Sequence, residues 1–410
     1  MDEVRFIHTA DLHLDSPFLG LHNLPKDLWE NVQESTFMAL QRIIDAAIER
    51  DVDFVVIVGD LFDGEDRSIK AQARLRRQME RLEKAGIQVF IVHGNHDHLG
   101  GSWLTLDLPQ NVHVFGTEVE MKRLKTKTGK TVHLYGFSYS ERHVRDRKVL
   151  DYKKVGDADF HIGLLHGHCE GGTSSHQPYA PFSLHELLEK DMDYWALGHI
   201  HKSEVLHEDP WVVYSGNPQG RHRQELGEKG CFAVKLSKYG TPSLEFIPTA
   251  VIRWESVEIV YHEKMNFTEF YQSCKHAIES IVQKEMQGIL VNIHILLKQI
   301  MPSTIKQKLD NGEFLEMLQE DFEWNGTFVW PCRITYQILK ESEQLAENDE
   351  FIKIMNSAAC EMVEQQSLEN SISSLYTNVY ASRYLTQLDE KEKEKLVKEA
   401  KVFILERLGL

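Results

Sequence analysis

Short apolar runs rich in β-branched residues recur along the first 250 residues of the chain. No polar residue interrupts Phe54–Val58, which is typical of a strand in a sheet covered on both faces. The other strand-like runs are Val4–His8, Gln88–Val92, Phe160–Leu165 and Tyr194–Leu197. Between them, Ser35–Arg50 has apolar residues at helical spacing, and residues 67–86 predict a second helix that ends at Gly86. This alternation predicts a layered α/β domain.

After residue 110 the pattern changes to short strands joined by tight turns. These strands are Val112–Phe115, Thr131–Gly136, Trp211–Tyr214, Cys231–Leu236 and Ser243–Ile247. A mixed second sheet facing the first would bury the apolar face of both sheets. Residues 16–33, with Pro17, Gly20 and Pro25, predict a long irregular insertion that helps to shape the mouth of a site.

The composition shifts at about Val251, and the motifs of the first part do not recur. Val251–Tyr261, Ile289–Leu297 and Pro331–Leu339 predict strands, and Phe267–Gln287 predicts an amphipathic helix. Residues 343–410 predict helices with three apolar stripes, the second of which includes Val379, and such stripes are more often core than docking surface. We therefore expect three parts: residues 1–250, a small α/β module at 251–342 and a helical region at 343–410.

Polar side chains with metal-binding chemistry follow each strand-like run of the first part. These residues are Asp11 and His13; Asp60 and Asp63; Asn95, His96 and Asp97; His166; and His199 and His201. Chemistry in open α/β sheets lies at the carboxyl ends of strands, so these side chains are expected to converge. Oxygen and imidazole ligands suit manganese, iron or zinc, and no cysteine takes part, which argues against a structural zinc site. The set is large enough for two ions that share one bridging carboxylate.

These motifs resemble those of the calcineurin-like metallophosphoesterases over about residues 4–232. Within that family the chain is similar to the SbcD-type DNA-repair exonucleases, and most closely to the YhaO type found in Bacillus. The resemblance implies a four-layer αββα sandwich and two divalent metal ions, with manganese preferred. One ion would be held by Asp11, His13, Asp60 and His201, and the other by Asp60, Asn95, His166 and His199.

The resemblance also implies which residues act in catalysis. His96 would be the catalytic histidine and Asp97 its orienting partner. Two cations about 3.5–4 Å apart can generate a hydroxide nucleophile and stabilise charge on the phosphoryl oxygens. The metal-bound hydroxide would cleave the phosphodiester, while His96 stabilises the phosphoryl oxygen or protonates the leaving oxygen.

The family further implies partners for the later parts of the chain. Residues 251–342 are similar in position to a capping domain that helps these nucleases to bind DNA. Residues 343–410 would dock an SMC-like coiled-coil ABC ATPase of the SbcC or YhaN type, and a homodimer is compatible with the resemblance. Two features depart from it: His98-Leu99-Gly100-Gly101 is bulky, and Asp63 stands where some relatives carry histidine.

Net charge is the main objection to a nucleic-acid enzyme. The formal charge of −17 repels phosphate at long range. Residues 121–154, however, carry eleven Lys or Arg against three Asp or Glu, a local charge of +8. This segment is either a solvated hairpin or a phosphate track that includes Lys122, Arg123 and Lys125. The glycine-rich loop 214–223 is a second candidate for substrate contact, through Arg221, His222 and Arg223.

Composition and cysteine usage indicate the cellular compartment. The five cysteines are odd in number and scattered, which argues against a disulfide framework. The chain has no apolar run long enough to cross a bilayer, and its first residues lack an apolar signal core. We therefore expect a cytoplasmic protein with no membrane contact.

Three functions remain open from the sequence. The first is a manganese-dependent DNA exonuclease or endonuclease subunit that acts in DNA repair with an ATPase. The second is a phosphodiesterase or phosphatase for small molecules, which would share all seven ligands but would not need the basic segment, the module or the helical region. The third is a metal-binding scaffold for the ATPase, against which the intact ligand set weighs.

Overall fold

The computed structural model describes residues 3–18, 21, 24–64, 67–101, 104–171, 179–262, 265–281, 287–298, 301–321, 328–338, 350–364, 367–377, 385 and 388–408. The chain divides into two compact units. The first comprises Met1–Glu255, Gln283–Leu290 and Trp324–Val329, and the second comprises Ser256–Val282, Val291–Glu323 and Trp330–Leu410.

The first unit alternates strands and helices before it turns to short strands. Its elements are β1 (Glu3–Thr9), α1 (Lys26–Glu49), β2 (Phe54–Val58), α2 (Ile69–Lys84), β3 (Gln88–Val92), β4 (Val112–Val114), β5 (Glu120–Lys125), β6 (Thr131–Gly136), β7 (Phe160–His166), α3 (Leu184–Leu188), β8 (Tyr194–Gly198), β9 (Glu204–Glu208), β10 (Trp211–Tyr214), β11 (Gly230–Ser237) and β12 (Ser243–Pro248). The strand-like runs of the sequence therefore fold as strands at nearly the predicted bounds.

Two six-stranded mixed sheets form this unit. The first has the order β12-β11-β1-β2-β3-β4, with β1 to β4 parallel and β11 antiparallel to β1. The second has the order β5-β6-β7-β8-β10-β9, with β6, β7, β8 and β10 parallel. Because parallel strands end at the same edge of a sheet, the loops after β1, β2 and β3 lie together, as do those after β7 and β8.

The two sheets pack face to face through an aromatic and aliphatic core. Phe6, Phe54 and Phe90 of the first sheet belong to one buried cluster with Leu164 and Tyr194 of the second. The ring of Phe6 lies edge-on to that of Tyr194, with 5.2 Å between centroids. Burying aromatic side chains of this size is worth several kcal/mol in total, so this layer fixes the position of the strand ends.

Helices cover the outer faces of both sheets. Val55 and Ile57 point away from the core between the sheets and pack in a cluster with residues of α1 and α2. On the other side, Trp195 and Leu197 pack with Leu187 of α3. Both faces of β2 are thus buried, which explains its uninterrupted apolar sequence. The predicted αββα sandwich is confirmed.

The first loop differs from the expectation. Residues 16–33 do not form one irregular insertion, because α1 begins at Lys26. Leu28 and Val32 are buried on the same helix face as Leu40 and Ile43, so the N-terminal extension of the helix before Ser35 is held by the core. The part of the prediction that concerns Gly20 lies outside the described residues.

The part of the chain after β12 contains a smaller, three-stranded sheet. The elements that follow β12 are β13 (Ile252–Tyr261), α4 (Phe267–Ser280), β14 (Gly288–Leu297), α5 (Ser303–Asp310), α6 (Glu313–Glu320), β15 (Phe328–Ile338), α7 (Glu350–Glu364), α8 (Ser367–Thr377) and α9 (Glu390–Leu408). The strands form a sheet in the order β13-β14-β15. Phe270 of α4 stacks on Phe314 of α6 at 5.0 Å, which ties two of the helices together.

The helices of this region differ from those predicted from the sequence. The predicted helix Phe267–Gln287 ends at Ser280, with residues 282–286 outside the described part, and α5 and α6 were not predicted. The expected boundary at 342/343 and the stripe residue Val379 also lie outside the described residues, so the three-part division stays a prediction. Among the described helices, none combines the length and apolar character that a membrane span requires.

Candidate metal centre

One group of donors gathers where β1 and β8 end. The Nε2 atoms of His13 and His201 lie 3.2 Å apart. His201 Nε2 is also 3.7 Å from Asp11 Oδ1, and His13 Nε2 is 3.8 Å from Asp60 Oδ2. These four residues come from three loops and two sheets, and the fold brings them to one point.

A second group lies beside the first and shares one residue with it. Asn95 Oδ1 is 3.1 Å from His166 Nε2 and 3.2 Å from His199 Nδ1. His166 Nε2 is in turn 3.5 Å from Asp60 Oδ2. The same carboxylate oxygen of Asp60 therefore faces both groups. All seven side chains predicted as ligands are near one another, and their assignment to two particular ions stays a prediction.

The donor chemistry fits divalent cations. Donors about 2.0–2.2 Å from one ion lie roughly 3–3.5 Å from each other, close to the separations found here. His166 Nδ1 faces the Val58 carbonyl at 3.0 Å and donates to it, so Nε2 is the nitrogen that faces Asn95 Oδ1 and Asp60 Oδ2. The two oxygens require a positive charge or a proton on this side, and a cation bound here would displace the Nε2 proton and use its lone pair.

The backbone that carries these donors is strained. Asp11, His13, Asp60 and His199 have φ angles of 52°, 41°, 49° and 95°, in the left-handed region that non-glycine residues rarely adopt. Each such residue costs on the order of 1–3 kcal/mol and persists only where the surrounding structure holds it. Here His13 N–H donates to Asp60 O at 2.9 Å and Asp11 N–H to Gly59 O at 3.1 Å, which joins the loops after β1 and β2.

Two glycines leave the space that the donors fill. A Cβ atom on Gly59, whose φ is +83°, would lie 2.0 Å from His166 Nδ1. A Cβ atom on Gly94 would lie 2.3 Å from Asp60 Oδ1 and 2.7 Å from His166 Nε2. Gly94 is therefore needed for room beside the metal centre.

Asp97 does not orient His96, contrary to the expectation. Its carboxylate accepts from Leu61 N–H at 2.9 Å and Gly94 N–H at 2.8 Å, and it lies 2.9 Å from His93 Nδ1. Burial would raise the pKa of Asp97, but His93 outweighs this effect and lowers it. Asp97 therefore braces the loops after β2 and β3, and its partner His93 was not singled out from the sequence.

His96 is held by backbone and by Asp60 instead. Its Nδ1 lies 2.8 Å from the carbonyl oxygen of Asp63, to which it donates, and its N–H donates to Asp60 Oδ1 at 2.9 Å. Its ring lies edge-on to that of His13, 5.0 Å between centroids. With Nδ1 occupied, Nε2 is the nitrogen left for substrate.

Two carboxylates that are not among the seven predicted ligands, Asp63 and Glu225, lie beside the histidines. Asp63 Oδ1 lies 3.1 Å from His13 Nδ1 and forms an ion pair with Arg221. Glu225 Oε1 lies 2.5 Å from His201 Nδ1. Burial would raise the pKa of Glu225, but the hydrogen bond from His201 and the charge of Arg221 lower it strongly. Sequence reasoning missed Glu225, because no spacing connects it to the metal motifs.

Comparison with known proteins identifies the family. The calcineurin-like phosphoesterase family matches residues 4–203. The metallophosphoesterase YhaO of Bacillus subtilis is 37% identical over 414 residues, which cover 100% of this chain and 98% of YhaO. This chain belongs to the calcineurin-like phosphoesterases. It is accordingly a phosphoester hydrolase of a metal-dependent family, and the predicted resemblance is confirmed.

More distant relatives of the phosphoesterase carry the name DNA double-strand break repair protein Mre11. That of Methanosarcina acetivorans is 27% identical over 70% of this chain and 46% of its own length. That of Thermoplasma acidophilum is 25% identical over 54% of this chain and 57% of its own length. The chain thus spans about half the length of these two relatives.

The basic segment divides into two parts, one on β5 and one after β6. Arg142 and Arg145, after β6, flank His143, whose ring centroid lies 5.5 Å from that of Tyr179, which in turn lies 5.4 Å from that of His199. Lys122, Arg123 and Lys125 lie on β5, an edge strand, and Leu124 and Lys125 pair with Val132 and Thr131. Since Val132 is level with Phe160, Lys125 lies roughly 20 Å from His166 along the strand direction. The β5 part of the predicted phosphate track therefore lies away from the ligands, and contact of the rest of the segment with phosphate stays a prediction.

Ion pairs also occupy much of this segment. Six of its eleven basic side chains contact carboxylates: Lys122 with Glu120, Lys127 with Asp51, Lys130 with Asp159, Arg147 with Glu186 and Glu170, Lys148 with Glu118, and Lys154 with Asp191. A pair of opposite charges attracts phosphate less than a lone cation does. By contrast, Arg223 is exposed in the loop that carries Glu225, adjacent to His201.

The first prediction concerns Asp60. Asp60→Asn removes the charge between the two donor groups but keeps an oxygen for His96 N–H, so binding of both ions should be weakened. Elemental analysis after dialysis against manganese would measure it. Asp157→Asn, at an exposed carboxylate, is the matched control and should keep the wild-type metal content. Two tightly bound equivalents in the Asp60 variant would exclude its bridging role.

The second prediction concerns the proton that metal binding displaces from His166. Burial lowers the pKa of His166, but the carboxylate of Asp60 outweighs burial and raises it to about 9. Below that pH His166 carries a proton that an incoming ion must displace, so metal affinity should rise as pH approaches 9. Manganese titration calorimetry at neutral pH, in buffers of different ionisation enthalpy, should show proton release.

The control for this titration is the exposed His185. A His185→Asn variant should release as many protons as the wild type, since this side chain is 81% exposed and pairs with Glu189. Binding without any proton release would contradict the protonated state of His166.

Proposed function

We propose that this phosphoesterase is a two-metal, manganese-preferring phosphodiesterase that cleaves DNA. The observation that supports this most is the pair of donor groups that share Asp60 Oδ2, with His96 anchored beside them. Asp11, His13, Asp60 and His201 would hold one ion and Asp60, Asn95, His166 and His199 the other. The ions would supply Lewis-acid activation of water and of the phosphoryl oxygens.

The protein's own residues would position and protonate the substrate. The carbonyl of Asp63 fixes His96 through Nδ1, so a proton on Nε2 can be donated to the leaving oxygen or to a phosphoryl oxygen. His96 is only partly buried, so its outer edge is accessible to a substrate. Asp63 Oδ1 also lies 3.1 Å from His13 Nδ1, so this one residue contacts both His96 and a predicted metal ligand.

DNA as the substrate is supported by relatives and by the second unit. The Mre11 relatives are named for double-strand break repair. The module around β13–β15 would cap the DNA, and the loop of Arg221, His222 and Arg223 would contact phosphates near His201. Of these, Arg221 is tied to Asp63 and His222 Nε2 lies 3.3 Å from Glu225, which leaves Arg223 as the strongest candidate.

A coiled-coil ABC ATPase is the partner that we propose for the helices α7–α9, in a cytoplasmic DNA-repair complex that is compatible with a homodimer. Large apolar side chains on these helices are exposed: Ile354 at 63%, Leu375 at 51% and Phe403 at 54%. Exposed apolar groups on neighbouring helices are a feature of protein-binding surfaces.

A small-molecule phosphodiester is the second candidate substrate. The observation in its favour is that six of the eleven basic side chains of the segment are paired with carboxylates, which reduces the positive charge offered to a long polyanion by a protein of charge −17. The metal centre would act identically on both substrates. Activity on linear duplex DNA, single-stranded DNA and a nitrophenyl diester, compared with the same manganese-loaded protein, separates the two.

The third prediction concerns His96. His96→Asn should keep metal content, because this side chain is outside both donor groups. It should lower turnover of DNA by about two to four orders of magnitude through loss of a general acid. The loss should be smaller for a nitrophenyl diester, whose leaving oxygen needs less protonation. Equal losses on both substrates would mean that His96 stabilises the phosphoryl oxygens and does not protonate the leaving oxygen. Loss of manganese from the variant would mean that His96 is a metal ligand.

The fourth prediction compares two exposed arginines. Arg223→Glu reverses an exposed charge in the loop that contacts His201 through Glu225, and it should weaken DNA binding and reduce its salt dependence, since fewer counterions are released. Arg123→Glu, on the distant strand β5, is the matched control and should change neither. Electrophoretic or fluorescence binding at several salt concentrations measures both. Equal affinities for the two variants would remove loop 214–223 from the DNA-binding surface.

A further inference from the structure

The loop after β10 returns to the metal centre and presents a buried carboxylate to it. Glu225 is only 6% exposed, although it lies between exposed Gln224 and Leu226. Its Oε1 atom lies 2.5 Å from His201 Nδ1. A buried carboxylate requires compensation, and His201 provides part of it.

The second oxygen of this carboxylate is fixed by the loop itself. Glu225 Oε2 accepts from Arg221 N–H at 2.6 Å and from Asn217 Nδ2 at 3.0 Å. The loop therefore folds around Glu225 and sets its direction. Since an amide has only one acceptor oxygen, a glutamine could not accept from both His201 and Arg221 N–H.

His201 needs this support more than the other histidines of the centre. Its side chain is 23% exposed, whereas those of His13 and His166 are fully buried. Packing alone therefore leaves its ring less restrained. The backbone carbonyl of His201 is held by Lys229 Nζ at 2.7 Å, which fixes the main chain but not the ring.

The direction of the hydrogen bond decides which nitrogen faces the ion. When Nδ1 donates its proton to Glu225, Nε2 carries the lone pair, and this atom is the one that lies 3.2 Å from His13 Nε2 and 3.7 Å from Asp11 Oδ1. Carboxylates that hold metal-bound histidines in this way orient the ring and raise its basicity as a ligand.

We propose that Glu225 is the positioning residue for His201 and thereby sets the affinity of the ion held by Asp11, His13 and His201. This inference rests on the proposed two-metal function. It predicts an effect on one of the two ions, because the polar contacts of Glu225 within the described part of the chain are with His201 and the residues of its own loop.

The test, and the fifth prediction, is calorimetric titration of full-length Glu225→Gln with manganese chloride. One binding step should weaken by roughly 10–100-fold while the other stays as in the wild type. Glu228→Gln, at an exposed carboxylate of the same loop, is the matched control and should titrate as the wild type. Wild-type binding by the Glu225 variant would overturn the proposal, as would equal weakening of both steps.

A double-mutant cycle separates positioning from a general effect on the loop. If Glu225 acts through His201, Glu225→Gln should cause no further loss of affinity in a His201→Ala background. A further loss of the same size there would also overturn the proposal. Glu225→Asp, which keeps the charge but shortens the reach, should bind with intermediate affinity and serves if the glutamine variant does not fold.

The proposed function and this inference fail in different ways. A wild-type protein that binds fewer than two manganese ions, or that hydrolyses no phosphodiester when loaded, contradicts the proposed function. A wild-type protein that binds two ions, with a Glu225→Gln variant that binds them equally well, contradicts only the role of Glu225.

Discussion

The carboxylate of Asp60 is the point on which the site depends. Its Oδ2 faces His13 Nε2 at 3.8 Å and His166 Nε2 at 3.5 Å, while its Oδ1 accepts from His96 N–H at 2.9 Å. Burial opposes its ionisation, but the surrounding histidines outweigh burial and hold its pKa well below the usual value. One negative charge thus joins loops from both sheets. A change at Asp60 therefore affects its contacts with His13, His96 and His166 together.

Such a concentration of polar groups requires a rigid base. The strained residues Asp11 and Asp60 each lie two positions beyond a strand whose apolar side chains are buried on both faces, and His199 directly follows β8. Strain of a few kcal/mol persists because the core between the sheets, with Phe6, Phe54 and Tyr194, holds the strands. The middle of each strand therefore contributes stability, and the residues that follow its end contribute the candidate metal ligands.

The sequence predicted the parts that depend on local pattern. Strand bounds follow from apolar runs, and the convergence of seven donors follows from their position after strands. The parts that depend on pairing across the fold were not predictable. Lys127 pairs with Asp51, 76 positions away, so the local charge of +8 did not reveal that part of it is offset by distant carboxylates. Glu225 reaches His201 through a loop that carries no metal motif.

The segment from Gly94 to Asp97 shows why neighbouring residues serve different purposes. Asn95 and His96 are adjacent in the chain but face different groups, so the backbone between them must bend. The structure makes that bend with Asp97, whose carboxylate accepts from Gly94 N–H and Leu61 N–H and closes the turn. Asn95 then faces His166 and His199, while His96 turns toward Asp63. Loss of the Asp97 carboxylate would leave three buried donors without an acceptor, so its effect on catalysis would arise through the geometry of this turn, and the charge state of His96 need not change.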